Sequence, residues 1–249
     1  MQDLVKENYN SHAIATLWGQ YIDWEGRRKG ERGFLVNALK EFDARKILNL
    51  ATGDGCDSIY LAQNGFEVVN NEYDPAFRKV AQKNIKKANL DLDTYNYDWR
   101  EIARRFPHGF FDASLCLGNS FCYLFTREAQ KKALDNFKIL LRGGGILVVD
   151  ERNWPYFFKR KDSGATKSKF LYCGENVTFN LRKDLGSKLE FEMHYKGEPT
   201  GEFITLYPFK RGELLELLEQ AGFRRILRYS DYKLGVSDNA NYYQYICVK

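Results

Sequence analysis

The sequence of 249 residues contains no apolar run that approaches the roughly 20 residues of a membrane-spanning helix. Its first thirty residues also lack the apolar stretch of a secretion signal, and they carry the acidic residues Asp3, Glu7, Asp23 and Glu25. Both absences argue against a membrane or secreted protein. We therefore expect a cytoplasmic protein with no membrane partner.

Cysteine and histidine are scarce, with five and three residues respectively. No C-x-x-C pair and no Cys/His cluster occurs, so the sequence indicates neither a metal site nor a disulfide framework. We expect buried, reduced thiols at Cys56, Cys116, Cys122, Cys173 and Cys247.

The charge shows no strong excess of either sign. The formal net charge of +5 comes from 38 basic and 33 acidic residues that are spread along the chain. A nucleic-acid-binding protein usually concentrates its basic residues in one stripe, so nucleic acid is a less favoured partner. The densest basic runs, at 26–32 and 158–169, are interpreted as solvated loops or helix faces.

The hydrophobic content of 44% is enough for one sizeable core. Short apolar or β-branched runs alternate with helical patterns up to residue 150. They predict strands at 46–50, 67–71, 92–97, 111–117 and 145–150, and helices at 32–41, 56–64, 75–88, 99–106 and 127–141. Because strands that alternate with helices form parallel sheets with right-handed crossovers, the sequence predicts an α/β fold.

The pattern changes after residue 150. Residues 167–208 alternate as strands do and contain no helical pattern, and they are followed by an amphipathic helix at 211–223 and strands at 224–231 and 242–248. We therefore expect an antiparallel β insert, then a helix and a closing hairpin. The expected single domain, 1–249, divides into an N-terminal helical cap at 1–45, a ligand-binding core at 46–150, the insert at 167–208 and the C-terminal helix and hairpin at 209–249.

The segment ATGDG follows the first predicted strand, at the turn where open parallel sheets bind ligands. Gly53 and Gly55 allow the backbone to turn tightly and to approach a ligand. A dinucleotide site needs a third glycine beside its pyrophosphate, but Ser58 stands there, and Asp54 and Asp57 occupy the place of a phosphate. The turn therefore suits a ligand with a positive or neutral group, such as an ammonium or a sulfonium.

The second predicted strand ends at Glu72, about 20 residues beyond the glycine turn, where an acidic residue commonly accepts the hydroxyls of a ribose. Asp74 is the next candidate for this position. The turn and the acid together indicate a nucleoside with a cationic tail. The alternative is a purely structural turn, with Glu72 as a helix cap.

The stretch LNLATGDGCDSIYLAQNGFEVVNNEYD resembles the first motif and the acidic second-strand end of class I S-adenosylmethionine-dependent methyltransferases. More narrowly, the chain resembles glycine N-methyltransferase and glycine/sarcosine N-methyltransferase. This resemblance covers nearly the whole chain, through LWGQYIDWEGR at 17–27, LCLGNSFCYL at 115–124, GGILVVDERNWPYF at 144–157 and LYPFKRGELLELLEQAGF at 206–223. It implies a Rossmann-like, doubly wound, mostly parallel seven-stranded sheet, with the antiparallel insert as a lid.

The same resemblance implies an N-methyltransferase that uses S-adenosyl-L-methionine, releases S-adenosyl-L-homocysteine, and methylates a small amino acid, glycine and/or sarcosine. It implies that Arg27 pairs with the cofactor carboxylate, with Arg28 as the adjacent alternative. For the rest of the cofactor it implies Ala51, Gly53 and Gly55 at the methionine part, Glu72 at the ribose, Asp98 and Trp99 at the adenine, and Leu115 and Gly118 along the end of the fourth strand.

For the acceptor, the resemblance points to Arg152 as the anchor of the substrate carboxylate and to Asn119 beside it. Arg152 directly follows the fifth predicted strand, so it lies on the same edge as the glycine turn. Alternatively, Arg152 pairs with an adjacent acid, Asp150 or Glu151, and Asn119 caps the next helix. Tyrosines are expected to close the pocket: Tyr172 and Tyr207 from the resemblance, with Tyr9, Tyr21 and Tyr123 as further candidates.

Methyl transfer from a sulfonium to an amine depends mainly on positioning, so we assign no general base. A nucleic-acid base methyltransferase would carry an N-P-P-Y-like stretch at the end of the fourth strand, whereas GNSF contains no proline and NWPY at 153–156 comes one strand later. Two alternatives remain: a methyltransferase that acts on another small-molecule amine, and a non-catalytic protein that binds S-adenosylmethionine. One methyl group changes binding in an apolar pocket only modestly, so the sequence leaves open which acceptor is used and how many methyl groups are added. It also leaves the oligomeric state open.

Overall fold

The computed structural model describes residues 12–162 and 172–249, without the side chains of residues 161 and 162. Three short helices come first: α1 His12–Tyr21, α2 Trp24–Glu31 and α3 Phe34–Glu41. Helix α2 begins after Asp23, whose carboxylate accepts a hydrogen bond from the backbone N–H of Gly26 at 2.9 Å, and this cap satisfies a donor that the helix itself cannot. The part of the predicted N-terminal cap before residue 12 lies outside the described residues.

The parallel core follows the predicted alternation. Its elements are β1 Lys46–Asn49, α4 Cys56–Gln63, β2 Glu67–Asn71, α5 Pro75–Lys87, β3 Thr94–Tyr95, β4 Phe111–Cys116, α6 Arg127–Leu140 and β5 Leu141–Arg152. Strand β1 pairs in parallel with β2 and β4, and β4 pairs in parallel with β5. Strand order therefore reverses around β1, which is the arrangement that places ligands at the carboxyl ends of the strands.

The predicted helix at 99–106 is wrong, because only one 3₁₀ turn forms, at Ile102–Arg104. The carboxylate of Asp98 accepts a hydrogen bond from the backbone N–H of Arg100 at 2.8 Å, and such a local bond competes with helix formation. Pro107 then disfavours helical backbone in the residue before it.

The C-terminal elements return to the main sheet. They are α7 Trp154–Asp162, which the periodicity did not predict, then α8 Glu213–Gln220, β9 Arg225–Ser230, β10 Lys233–Leu234 and β11 Tyr242–Val248. Strand β11 runs antiparallel between β5 and β9, and the sheet order is β10-β9-β11-β5-β4-β1-β2-β3. The seven predicted strands are thus present with one additional two-residue edge strand, and the Rossmann-like α/β fold is confirmed.

The insert forms a separate antiparallel sheet of three strands, β6 Val177–Asp184, β7 Leu189–Tyr195 and β8 Glu198–Leu206. Its start, at 167–171, lies outside the described residues. This sheet packs on α1, since the ring of Phe179 lies 4.9 Å from that of Tyr21. The carboxylate of Glu202 accepts hydrogen bonds from the backbone N–H groups of Ala13 and Ile14, at 3.2 and 3.0 Å, so the insert also caps the first turn of α1.

Two hydrophobic clusters cover the faces of the main sheet. Alternate residues of β5 serve each one: Leu147 and Val149 pack toward α6 and α8, while Ile146 and Val148 pack toward α3 and α4. Burial on both faces is typical of parallel strands between helices. Within the described residues, every helix is too short or too polar to cross a membrane.

A buried carboxylate on β5 makes the stability depend on pH. Glu151 is 4% exposed and accepts a hydrogen bond from the hydroxyl of Tyr245 at 2.6 Å. Burial, followed by the charges of Glu213 and Asp150, raises the pKa of Glu151 from 4.5 to about 8. The folded protein therefore holds a proton that the unfolded chain releases, and this contribution to stability is lost as pH rises through about 8.

We predict that the melting temperature of the wild type decreases between about pH 5 and about pH 8, and that Glu151→Gln makes this decrease smaller, because glutamine stays neutral. Glu216→Gln is the matched control, since the side chain of Glu216 is 59% exposed. Thermal melts across the pH range measure both variants. The same pH slope in wild type and Glu151→Gln would contradict the prediction.

Candidate active site

One cavity of about 280 Å³ lies at the carboxyl ends of β1, β2, β4 and β5. Helices α1 and α2 contribute Trp18, Trp24 and Arg27 to its wall, and β8 of the insert contributes Ile204 and Leu206. The cavity is therefore enclosed by segments far apart in the sequence. Its place matches the topological switch point where such sheets bind ligands.

The glycine turn forms the floor of the cavity. Gly53 and Gly55 have φ values of 58° and 88°, a left-handed conformation that favours glycine. Gly53 and Ala51, which the resemblance assigns to the methionine part of the cofactor, line the cavity. Gly55 does not line it: a Cβ there would lie 3.3 Å from the Cα of Ala81, so this glycine allows α4 to pass close to α5.

Glu72 lies beside this turn, at the end of β2. Its two carboxylate oxygens accept hydrogen bonds from the backbone N–H groups of Gly53, at 2.7 Å, and Asp74, at 3.0 Å. Burial raises the pKa of Glu72 to about 7, although these two hydrogen bonds oppose the shift. Asp74, the alternative, also borders the cavity, but its carboxylate caps α5 through the N–H groups of Ala76 and Phe77.

The two acids of the glycine turn are bound by residues of α2. The indole N–H of Trp24 donates to Asp54 at 3.0 Å, and Arg27 and Arg28 both donate to Asp57. The interpretation that both acids are available to a cationic ligand is therefore wrong for Asp57, whose charge is already compensated. Burial would raise the pKa of Asp57, but the two guanidinium groups hold it below its usual value.

Of the two adjacent arginines, Arg27 lines the cavity and Arg28 does not. The Nε of Arg27 donates to Glu31 at 2.6 Å, and its Nη2 donates to Asp57 at 3.3 Å. This geometry selects Arg27 over Arg28 as the guanidinium that a ligand carboxylate can reach. The sequence left that choice open.

Asp98 and Trp99, which the resemblance assigns to the adenine, border the cavity near the end of β1. The indole N–H of Trp99 donates to the backbone carbonyl of Leu50 at 2.8 Å, while Arg100 binds the carboxylate of Asp98. Leu115 does not reach the cavity wall. Its side chain is fully buried in the hydrophobic cluster that lies between the sheet and helices α3 and α4.

At the ends of β4 and β5, Asp150 organises the turn that carries Asn119. Its carboxylate accepts hydrogen bonds from the backbone N–H groups of Gly118 and Asn119, at 3.1 and 2.6 Å. Burial raises the pKa of Asp150 to about 6, against these hydrogen bonds and the charge of Arg27. Asn119 has a φ of 61°, which this double contact with Asp150 holds in place.

Asn119 and Arg152 are brought together. The side-chain oxygen of Asn119 accepts a hydrogen bond from the backbone N–H of Arg152 at 2.9 Å, and the side chain makes no capping hydrogen bond to the following turn. The side chain of Arg152 is half-buried, and its guanidinium lies 4.7 Å from the ring centre of Tyr242 and donates to the hydroxyl of that residue. Glu151 is bound to Tyr245, so neither adjacent acid needs Arg152 as its partner.

The tyrosines are only partly where the sequence predicted them. Tyr172, Tyr21 and Tyr123 line the cavity, whereas Tyr9 lies outside the described residues. Tyr207 does not line it: its backbone N–H binds the carbonyl of Cys122 and its hydroxyl donates to Glu213 at 2.6 Å, which turns the ring toward α8. Sequence reasoning missed Tyr232 and Tyr242, for which the linear sequence carries no distinguishing signal. It also missed Trp24, although this residue lies in the IDWEGR stretch that carries the resemblance.

The wall of the cavity offers groups that match the parts of S-adenosylmethionine. The half-buried carboxylate of Glu72 can accept ribose hydroxyls, Arg27 can bind a carboxylate, and Trp99 offers an aromatic surface. A Cβ on Gly53 would meet nothing within 4 Å, so the backbone there is open to a ligand. No group of three or more candidate metal ligands occurs among residues 12–162 and 172–249.

Comparisons with known proteins bear on the family of this chain. A family model described as "Methyltransferase domain" matches residues 47–145. The chain is 32% identical to the glycine/sarcosine N-methyltransferase of Parasynechococcus marenigrum (strain WH8102), over 93% of this chain and 81% of the relative. It is 33% identical to the glycine/sarcosine N-methyltransferase of Halorhodospira halochloris, over 89% of this chain and 81% of the relative.

Among solved structures, an S-adenosylmethionine-dependent methyltransferase from Clostridium acetobutylicum ATCC 824 has the same fold, with a TM-score of 0.68 at 15% identity. The match covers 88% of this chain and 91% of that one. With two relatives above 30% identity over most of both chains, the resemblance inferred from the motifs is confirmed. The chain belongs to the glycine/sarcosine N-methyltransferase family of S-adenosylmethionine-dependent methyltransferases.

Proposed function

We propose that this protein methylates the amine of glycine and/or sarcosine with S-adenosyl-L-methionine as the methyl donor. The observation that carries the proposal is the guanidinium of Arg152, which shares one cavity with the glycine turn and Glu72. A cation in an enclosed cavity at the carboxyl end of β5 suits a small acceptor with a carboxylate. The names of the relatives support the same acceptors.

When bound, S-adenosyl-L-methionine supplies an electrophilic methyl group. The chain's own residues then act mainly by orientation. Arg152 binds the acceptor carboxylate, and the Asn119 oxygen, which the N–H of Arg152 already orients, faces the same region. A neutral oxygen near the amine stabilises the positive charge that develops on its nitrogen during methyl transfer. Because an unprotonated amine attacks through its own lone pair, no general base is assigned.

On the donor side, we propose that Arg27 binds the cofactor carboxylate, Glu72 the ribose hydroxyls, and Asp98 and Trp99 the adenine. Glu72 is oriented by two backbone N–H groups, so its remaining acceptor capacity points along a defined direction. Nucleic acid is not favoured as the acceptor, because NWPY begins α7 after β5 rather than following β4. The enclosed cavity fits a small molecule better than a flipped base.

Above pH 7, where the Glu72 carboxylate is ionised, Glu72→Ala is expected to weaken the binding of S-adenosylhomocysteine about ten- to a hundredfold, since the ribose loses a charged acceptor worth about 1.5 to 3 kcal/mol. Isothermal titration calorimetry measures the affinity. Glu67→Ala is the matched control on the same strand, because Glu67 is exposed and pairs with Lys46. Unchanged affinity in a folded Glu72→Ala variant would shift the ribose assignment to Asp74.

Arg152→Leu is expected to lower kcat/KM for glycine or sarcosine about thirty- to a thousandfold and to leave the affinity for S-adenosylhomocysteine nearly intact, since a desolvated charge pair loses one partner. Arg152→Lys should retain only part of the wild-type kcat/KM, because an ammonium lacks the planar, bidentate geometry of a guanidinium. Arg211→Leu, at an exposed ion pair with Asp238, is the control. Equal losses for amines with and without a carboxylate would contradict the anchor role.

We further propose that the insert covers the cavity as a lid. Ile204 and Leu206 of β8 line the cavity, and Glu202 links the same strand to α1. Amide hydrogen exchange should therefore be faster in β6, β7 and β8 than in β1 and β4 of the free protein, and S-adenosylhomocysteine together with acetate, a mimic of the acceptor carboxylate, should slow it. Equal protection of the two sheets in the free protein would indicate a rigid subdomain.

A further inference from the structure

Arg28 does not border the cavity, but it binds the same two carboxylates as Arg27, those of Glu31 and Asp57. Its Nη1 donates to Glu31 at 2.7 Å and its Nη2 to Asp57 at 2.5 Å. Arg27 binds the other oxygen of each carboxylate, at 2.6 Å to Glu31 and 3.3 Å to Asp57. The four side chains therefore form a closed ring, in which each guanidinium bridges both acids.

The ring is buried and electrically neutral. The side chains of Arg27, Arg28, Glu31 and Asp57 are 10%, 21%, 4% and 11% exposed, and they carry two positive and two negative charges. Buried charges are screened much less by salt than exposed ones. The loss of one charge from this ring would therefore change the electrostatic potential at the cavity wall, where Arg27 lies.

Arg28 is also held firmly in its place. Its guanidinium lies 4.2 Å from the ring centre of Tyr60 and 5.2 Å from that of Trp24, at distances where cations and aromatic faces attract. From the C-terminal half of the chain, the hydroxyl of Tyr232 donates to Glu31 at 3.4 Å. The ring thus has a defined geometry on which several elements converge.

We propose that Arg28 is a positioning residue that neutralises Glu31 and Asp57, so that Arg27 keeps a net attraction for the carboxylate of the bound nucleoside. The inference rests on the proposed role of Arg27. With Arg27 alone, the ring would carry a net charge of −1, and Asp150 also faces Arg27. An approaching ligand carboxylate would then meet repulsion from Glu31 and Asp57 in a poorly screened site.

The test compares two ligands that differ only in the carboxylate: S-adenosylhomocysteine and the aminopropyl thioether of adenosine, which is the same molecule without that group. Arg28→Leu should weaken the first about tenfold or more and the second by no more than about twofold, as measured by calorimetry. Lys29→Leu is the matched control on the same helix, since Lys29 is exposed and pairs with Glu25. It should change neither affinity.

Two further variants separate charge from geometry. Arg28→Lys keeps the charge with fewer hydrogen bonds, and Arg28→Leu combined with Glu31→Gln restores a neutral ring. Both should bind S-adenosylhomocysteine more tightly than Arg28→Leu does. If neither variant binds S-adenosylhomocysteine more tightly than Arg28→Leu does, the charge-balancing role of Arg28 is wrong. It is also wrong if Arg28→Leu weakens the binding of both ligands equally.

Arg27→Leu distinguishes this inference from the proposed function. A selective loss of S-adenosylhomocysteine affinity in Arg27→Leu but not in Arg28→Leu would overturn only the inference about Arg28. Equal weakening of both ligands by Arg27→Leu would overturn the placement of the cofactor carboxylate and with it the premise of the inference.

Discussion

The site depends on the cost of burying carboxylates. An ionised carboxylate in a protein interior loses several kcal/mol of hydration unless hydrogen bonds or opposite charges replace the water. Three acids at the carboxyl edge of the sheet take such partners from another segment. Glu72 joins β2 to the glycine turn, Asp150 joins β5 to the turn after β4, and Asp57 joins α4 to α2. The walls of the cavity are thus held together by the same groups that face it.

This arrangement also separates two guanidinium groups within one cavity. Arg27 is bound by the acids of α2 and α4, whereas Arg152 is held by Tyr242 and by the backbone contact of its N–H with Asn119. Two distinct cation sites suit a reaction between two molecules that each carry a carboxylate, as a methionine-derived donor and an amino acid do. The carboxylates Glu72 and Asp150, each with a raised pKa, lie between polar backbone contacts rather than in ion pairs.

Several predictions from the sequence failed for a common reason. Gly55 and Leu115 were assigned to the cofactor from their places next to the motif, but Gly55 relieves contact with α5 and Leu115 points into the core. Tyr207 has the right neighbours in the chain, yet its hydroxyl binds Glu213 instead. In each case the contact that decides the role of the residue is made with another element of the fold, which the motif itself does not encode.

The sequence by itself determined the alternation of strands and helices, the glycine turn and the acid at the end of β2, because hydrophobic period and backbone freedom are local properties. The family resemblance of its motifs also pointed to Arg152 and Asn119, which the fold brings together. Only the tertiary structure decided that Arg27, and not Arg28, borders the cavity, and that Trp24, Tyr232 and Tyr242 share it. These residues are brought together by packing between elements distant in the chain, and neither residue type nor spacing encodes which face of each element meets the cavity.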